Sequence, residues 1–407
     1  MPYNGAGTFN LYTPGNPVVD GTTITVTWAN STLSDIATGL TNVLTKDGQS
    51  TPSANIPMGG FKLTGLGAAT TNGDAIRWQQ SAAGVMTTAG DMVYASAANT
   101  VARLPNGVET LIPTCGRITL TTATPVTSGN VTGATTVYFT PYKGNAVSLY
   151  DGAKWVPAIF AELSQATSDT TKSPAAVANN SNYDLFVWDD SGTLRCTRGP
   201  AWTSDTARGT GAGTTELESL EGRYVNKVAI TNGPAAQRGL YVGTIRSDGS
   251  AQINDSLTKR HVWNYFNRVA RPVVVNDATG SWTYSTASFR QANGSTANQI
   301  AVVIGLQEDT LTVNCSHSAV GPDATIRQFF SGIGIDSSTV NSATGANLQG
   351  ATSSIQVSAN CTYSGFPGLG SHEIRWLEKA DGTATWTWYG NGGGTNFQSG
   401  LSGTFLA

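Results

Sequence analysis

Asn55-Ile-Pro-Met-Gly-Gly-Phe-Lys-Leu-Thr-Gly-Leu-Gly67 decides how the chain is built. Gly59-Gly60 is a backbone break, free to take dihedrals that other residues resist. Phe61 and Leu63 then alternate with Lys62 and Thr64, the period of a short strand. Gly65 and Gly67 bracket Leu66. Beyond a Thr/Asn/Gly linker, Asn72-Gly-Asp-Ala-Ile-Arg-Trp-Gln-Gln80 offers Asn72 or Asp74 as the cap of a short helix. One such strand and helix cannot bury enough apolar surface to stand alone. The stretch reads as one third of an assembly rather than as a domain.

Outward from it, the 407 residues suffice for two to four domains of about 100–200 residues each. Only 12% of residues are charged, the formal net charge is -3, and 47 are glycine. Soluble domains carry about 25% charged residues. Such a neutral, small-residue chain favours turns and many short strands over helices. Nothing basic enough for a nucleic-acid role is present. No run of about 18 apolar residues exists, so membrane insertion is not expected. The start, Met-Pro-Tyr-Asn-Gly, lacks the basic and then apolar segments of a signal peptide. Cys115, Cys196, Cys315 and Cys361 form no CxxC pair, which argues against zinc. Cys315 and Cys361 lie in strand-like runs and can pair; free buried thiols are the simpler reading.

Before the opening stretch, Thr22-Thr-Ile-Thr-Val-Thr-Trp28 reads as a strand with Ile24, Val26 and Trp28 on one face. Thr32-Leu-Ser-Asp35 reads as a capping-box variant. Leu33, Ile36, Leu40 and Val43 then make a two-heptad apolar stripe closed by Gly48. An amphipathic helix on its own domain and a short threefold bundle fit that stripe equally. After it, residues 106–116 read as a linker and 117–247 as a run of hairpins. Asp151-Gly152 joins two apolar runs, and Asp189-Asp-Ser-Gly192 joins Tyr183-Asp-Leu-Phe-Val-Trp188 to Thr193-Leu-Arg-Cys196. Asp255 to Arg268 reads as a helix capped by Asp255 or Ser256, with Pro272 beyond its end. Strands resume at 281–284, 299–304, 310–315 and 354–358. The clearest hairpin is Glu373-Ile-Arg-Trp-Leu-Glu378 with Thr385-Trp-Thr-Trp-Tyr389, joined through Asp381-Gly382. Strand spacing and turn density predict a β-sandwich or jelly roll here.

Pro57-Met-Gly-Gly-Phe-Lys-Leu-Thr-Gly-Leu66 with Gly73-Asp-Ala-Ile-Arg77 resembles the proximal segment of tailed-phage tail fibre proteins. Gly90-Asp-Met-Val-Tyr-Ala-Ser-Ala-Ala-Asn-Thr-Val-Ala-Arg-Leu-Pro105 resembles fibre shaft segments that wind around neighbouring chains. The order from Val137-Tyr-Phe-Thr-Pro-Tyr142 through Ser148-Leu-Tyr-Asp-Gly152 to Tyr241-Val-Gly-Thr-Ile-Arg246 resembles a β module of phage and prophage fibres. Lys259-Arg-His-Val-Trp-Asn-Tyr-Phe266, Trp282-Thr-Tyr284, Gly365-Phe-Pro-Gly-Leu-Gly370 and Thr387-Trp-Tyr-Gly-Asn391 resemble a C-terminal fibre head. The resemblance implies a mainly β, elongated homotrimeric fibre with short N-terminal helices. It divides the chain into a tail-docking region (1–53), an intertwined proximal and shaft segment (54–116), a middle β module (117–254) and a C-terminal β head (255–407). A virion protein follows, with a tail adaptor, nozzle or other tail protein and a host-surface glycan or protein as partners. A capsid-decoration or tail-structural protein without a receptor role, and a polysaccharide depolymerase, are the alternatives.

Chemistry is sparse. No phosphate loop, HExxH, G-x-S-x-G or EF-hand motif occurs, and His261, His317 and His372 are scattered. Asp189 with Asp190, Glu216 with Glu218 and Glu221, and Glu308 with Asp309 are carboxylate groups of the kind a glycosidase needs. Each also sits where turns and loops select acids. The cluster Lys259-Arg-His261 with Arg268 and Arg271 reads as a solvated or ion-paired face. No catalytic residue, metal or cofactor is expected. Leu33, Ile36, Leu40, Val43, Phe61 and Leu63 are the candidate trimer or docking contacts. Trp386 and Trp388 share one strand face and read as core. That leaves Tyr389, Asn391 and Asn396 in the Gly/Asn-rich loop, and Phe366 in the 365–370 turn, as candidate receptor contacts, with Trp282 and Tyr284 on a neighbouring edge.

Overall fold

The computed structural model describes residues 17–41, 55, 59–68, 92–97, 100–104, 112–345, 348–353, 355–395 and 399–407. Its described residues are mainly β, with 44% of them in strands and 6% in helices. It divides into two units, Met1–Thr87 with Val93–Arg103, and Leu104–Ala407 with Thr88–Met92.

In the first unit the helix α1 spans Val26–Thr41. Its start differs from the strand expected at 22–28 and from the cap expected at Thr32. The Thr25 hydroxyl accepts the Trp28 amide at 3.1 Å, and the Thr25 carbonyl accepts the Ala29 amide. A threonine at that position satisfies an orphan amide of the first turn. The β-branched run preceding it has no paired edge among the described residues, so its strand propensity goes unused. Leu33 and Leu40 are each 63% exposed, and Ile36 is half-buried. Gly59-Gly60 turns as expected, both with positive φ. No strand follows it: Phe61 is 82% exposed and Leu63 is exposed as well. Strands β1 (Met92–Ala97) and β2 (Thr100–Leu104) pair as a ribbon. Val43, the helix expected at 72–80, Gly48 and residues 106–111 of the linker lie outside the described residues.

The second unit opens on β3 (Gly116–Thr119), four buried residues that begin at the last residue of the expected linker and run into the expected hairpins. There follow β4 (Val131–Ala134), β5 (Thr136–Pro141), β6 (Ala146–Tyr150), β7 (Trp155–Ile159) and β8 (Leu163–Ala166). Next come β9 (Asn182–Asp190), β10 (Thr193–Ala201), β11 (Leu217–Leu220), β12 (Arg223–Asn226) and β13 (Leu240–Arg246). The two hairpins read from Asp-Gly and Asp-Asp-Ser-Gly are β6–β7 and β9–β10. Ser191 and Gly192 both take positive φ, the two-residue geometry that matches strand twist. Asp189 Oδ1 accepts the Gly192 amide at 2.6 Å.

No helix forms at 255–268. The segment instead makes β14 (Ile253–Asp255), β15 (Lys259–Arg260) and β16 (Val262–Asn264). Asp255 does not cap; its two oxygens pair with Arg260 at 2.7 Å and Arg271 at 3.0 Å. Arg260 through Asn264 are five consecutive buried residues. A helix on a surface buries a stripe, whereas an interior strand buries every residue. Pairing partners decide the matter: β16 joins β13, β15 joins β20 (Gln299–Ile304) in parallel, and β14 joins β4. These ladders cross position 254/255, so residues on either side of it share sheets.

The remaining strands are β17 (Ala270–Asn276), β18 (Ser281–Tyr284), β19 (Arg290–Gln291), β21 (Leu311–Val320), β22 (Arg327–Ile335), β23 (Leu348–Ala351), β24 (Gln356–Gly365), β25 (Gly370–Lys379), β26 (Trp386–Tyr389) and β27 (Gly400–Leu406). One sheet runs β23-β22-β25-β20-β15-β14-β4, with β19 on β25; another runs β17-β27-β21-β26-β18, with β24 on β21. Their apolar faces share one core, including Ile300, Val302, Phe329, Ile374 and Trp376 from the first and Val313, Trp386, Trp388 and Leu401 from the second. Trp386 and Trp388 are therefore core, as read. The expected 373–378/385–389 hairpin does not form, because β25 and β26 belong to different sheets. Asp381-Gly382 carries the chain from one layer to the other. Pro272 sits in β17, at the end of its sheet, where a missing amide costs no ladder bond.

Strand β9 lies between two cores. Leu185 and Val187 join a cluster with Ile118, Phe139 and Trp155, while Phe186 points into the other with Tyr241 and Trp263. This is why Tyr183–Trp188 reads as an unbroken apolar run. Its one charge, Asp184, is fully buried. Its carboxylate accepts from Arg208 Nε (2.6 Å) and Nη2 (3.1 Å), Thr215 Oγ1 (3.0 Å) and Thr244 Oγ1 (2.6 Å). Arg208 also donates to the Gly305 carbonyl at 2.7 Å and stacks over Trp202. Elsewhere buried Arg117 donates to the carbonyls of Pro125 (3.1 Å), Asn267 and Ala407 (2.9 Å).

Removing one partner of a buried ion pair leaves the other charge uncompensated, at about 3–5 kcal/mol. Asp184→Asn is expected to lose that much in denaturant unfolding, and Asp184→Asn with Arg208→Met to recover part of it. Wild-type stability in the single variant would show that the pair does not hold the sheet.

Candidate ligand-binding cleft

Three chain crossings build a polar cleft of about 540 Å³ on the second unit. The first is the end of β13, where Arg246 donates to Asp205 Oδ1 at 2.8 Å and to Asn182 Oδ1 at 3.0 Å. The second is the start of β25, where the Ser371 amide donates to the Asp205 carbonyl at 2.8 Å. Gly370 there has φ +103, and a Cβ would lie 2.0 Å from that carbonyl oxygen, so only glycine permits the approach. The third is the turn after β22, where Asp336 Oδ2 lies 2.7 Å from His372 Nδ1 and Oδ1 accepts the Glu373 amide at 2.7 Å. Arg375 pairs with Glu373 and reaches Gln299. A second depression of about 450 Å³ shares Gln299, Glu373 and Arg375 with the first, and Arg290 helps line it.

The cleft is nearly balanced in charge. Asp205, Asp248, Asp336 and Glu373 face Arg246, Lys259 and Arg375. For Asp248, burial works to raise the pKa, but hydrogen bonds from Asn254, Ser250 and Gln252 outweigh it and hold the carboxyl below its usual range. Asp336 is likewise held down: burial is outweighed by His372 and the Glu373 amide. His261 is buried among the lining residues, and neither of its ring nitrogens has a hydrogen-bond partner among the described residues. Burial, then the charges of Arg246 and Lys259, push its pKa down to about 3, so it is neutral. The Ser247 hydroxyl is spent on the Ala178 and Ser181 carbonyls. The cleft offers fixed donors and acceptors to a polar ligand without strong net charge. No group of three or more metal-ligating side chains converges among the described residues, and no described helix is long and apolar enough to cross a membrane.

The residues expected to touch a receptor do not converge. Tyr389 is half-buried at the end of β26, in register with Ser281 and Ser318. Asn391 is also half-buried; its amide donates to Asp277 O at 2.8 Å and its Oδ1 accepts the Gly393 amide at 3.0 Å. It builds its own turn. Asn396 lies outside the described residues. Phe366 is exposed, on the turn whose Gly370 abuts Asp205 at the cleft. Trp282 is not a surface edge: it is buried and donates its indole N–H to Glu378 at 2.7 Å. Tyr284 lies beneath the Arg290 guanidinium, 3.9 Å from its ring centre. The carboxylate groups have structural uses. Asp190 binds Lys172 and Arg195, Glu216 binds Lys227, and Glu308 and Asp309 both bind Arg268.

Sequence reading passed over Asp205, Arg246, Asp336 and Arg375, which have no local spacing in common. It also passed over Glu378, whose side chain is fully buried. Burial pushes its carboxyl up to about 7, against the opposing pull of Trp282 and Arg290. His317, ringed by Trp282, Trp376 and Trp388, is held well below its usual value by burial. Neither the protein-family models nor the curated proteins compared with this chain include a match.

A carboxyl raised on folding favours the folded state below its unfolded pKa and loses that contribution as pH rises through its folded value. Glu378→Gln should therefore raise Tm relative to wild type more at about pH 8 than at about pH 5, on either side of the folded value of about 7. Equal shifts at both pH values would show that Glu378 does not titrate there.

Proposed function

We propose that the chain is a noncatalytic tail fibre of a tailed phage, an elongated homotrimer with a sandwich or jelly-roll-like C-terminal head. Its N-terminal region docks on a tail adaptor, nozzle or other tail protein. Its C-terminal strands meet a host-surface glycan or protein. The observation that carries this reading is the first unit's apolar surface. Val19, Val26, Leu33, Leu40, Phe61 and Leu63 are all exposed on the single chain. Large apolar side chains concentrated in one segment mark a protein interface, and they fall on and beside the segments that resemble fibre proximal motifs. In a trimer, α1 and the residues after Gly60 would bury them against sister chains. The second unit supports the recognition half of the reading, because its cleft is polar and nearly charge-balanced, as a neutral glycan requires.

Light scattering on the full chain should report three copies. Leu33→Ser with Leu40→Ser should weaken the assembly while leaving the β signal in circular dichroism unchanged. A stable monomer at micromolar concentration would remove the fibre reading. Particles assembled with a chain lacking residues 1–80 should carry no fibre; full occupancy would place the docking site elsewhere.

A further inference from the structure

The tips of hairpins β6–β7 and β9–β10, with the turn before β13, enclose a cavity of about 510 Å³ that is separate from the polar cleft. Its walls include Tyr150 and Leu194, both half-buried, and the ring of Trp188. The Trp188 indole N–H is already satisfied by Thr197 Oγ1 at 2.6 Å, so the ring serves as an apolar surface. Three exposed charged groups, Asp151, Asp189 and Arg238, stand at the rim.

The two carboxylates are each held by their own turn. Asp151 Oδ1 accepts the amides of Ala153 (2.9 Å) and Lys154 (3.0 Å), and Asp189 Oδ1 accepts that of Gly192. Neither second oxygen has a hydrogen-bond partner among the described residues. The Arg238 guanidinium lies against Gly152, whose φ of +97 and bare Cα leave room for it: a Cβ there would fall 2.1 Å from Nη2. Arg238 has no ion-pair partner among the described residues. Two oriented acceptors and a guanidinium packed over a glycine thus border an aromatic and aliphatic wall. The volume lies within the about 300–1,000 Å³ of small-molecule sites.

We propose that this cavity binds a neutral pyranose saccharide. A pyranose ring has an apolar C–H face, which an aromatic wall takes up. Its hydroxyls, set side by side around the ring, both donate to carboxylates and accept from a guanidinium. Two carboxylates against one guanidinium disfavour an anionic sugar and leave a neutral one unopposed. The inference does not depend on the fibre reading; it holds if the chain serves any other purpose.

Saturation-transfer NMR on the full chain tests it, with the methyl glycosides of glucose, galactose and N-acetylglucosamine at millimolar concentration as probes. Transfer to the ring C–H protons of at least one probe is expected, and weaker binding of N-acetylneuraminic acid. Arg238→Ala and Asp189→Asn should each weaken binding about fivefold or more. Both positions are exposed, and the amide oxygen introduced by Asp189→Asn can still accept the Gly192 amide, so the fold is preserved. Tyr150→Ala should do the same, provided circular dichroism shows it folded. The proposal falls if no probe receives transfer, if Arg238→Ala and Asp189→Asn both bind as wild type, or if the anionic sugar binds more tightly than the neutral ones.

Discussion

A carboxylate sealed between two apolar cores is the constraint around which the second unit is arranged. Asp184 interrupts the apolar run of β9, and its partners converge from three other places in the chain. Arg208 comes from the long connection after β10, Thr215 from its far end, and Thr244 from β13. Arg208 then spends a remaining N–H on Gly305, just beyond β20. An unpaired charge there would be costly, so the connection, the central sheet and the end of β20 are held to one arrangement. Gly305 has no side chain because a Cβ would meet the Tyr241 hydroxyl at 2.2 Å and Trp263 at 2.4 Å.

A second carboxylate is sealed elsewhere in the unit. Glu378 lies beneath Trp282 and Arg290, and its environment resists ionisation more than its partners favour it. Nearby, His317 fills space among three indoles, with no hydrogen bond to either nitrogen among the described residues.

Much of the β architecture was legible because its signals are local. Asp151-Gly152 and Ser191-Gly192 dictate tight turns through their own dihedrals, and the runs beside them alternate or stay apolar according to how many faces are covered. What failed was decided by partners distant in sequence. Asp255–Arg268 has a cap residue and helical spacing, yet β4, β13 and β20 offer ladders that a helix cannot use. Asp381-Gly382 has hairpin chemistry, but the layer each flanking strand joins is set by Ile333, Ser318 and their neighbours. Thr22–Trp28 has strand composition without a strand to pair with among the described residues, and Thr25 caps a helix instead. The candidate clefts were harder still. Asp205, Arg246, Asp336 and Arg375 meet only after four loops and strands are placed, whereas Asp151 and Asp189 were read as turn residues, a role that also orients them.

The Arg117 guanidinium has a consequence in time rather than in space. It closes on Ala407, 290 positions away, while Ile118 takes its amide partner from Asn264, 146 positions on. The first strand of the unit is thus completed by some of its last residues. Chains with so much non-local pairing fold slowly, because loop closure must precede the contacts that reward it. During synthesis at about 5–20 residues per second, β3 and its neighbours emerge well before their partners exist. With only 12% of its residues charged, the chain gives those waiting strands little electrostatic protection against pairing with other chains, so closing the unit also hides edges that would otherwise aggregate.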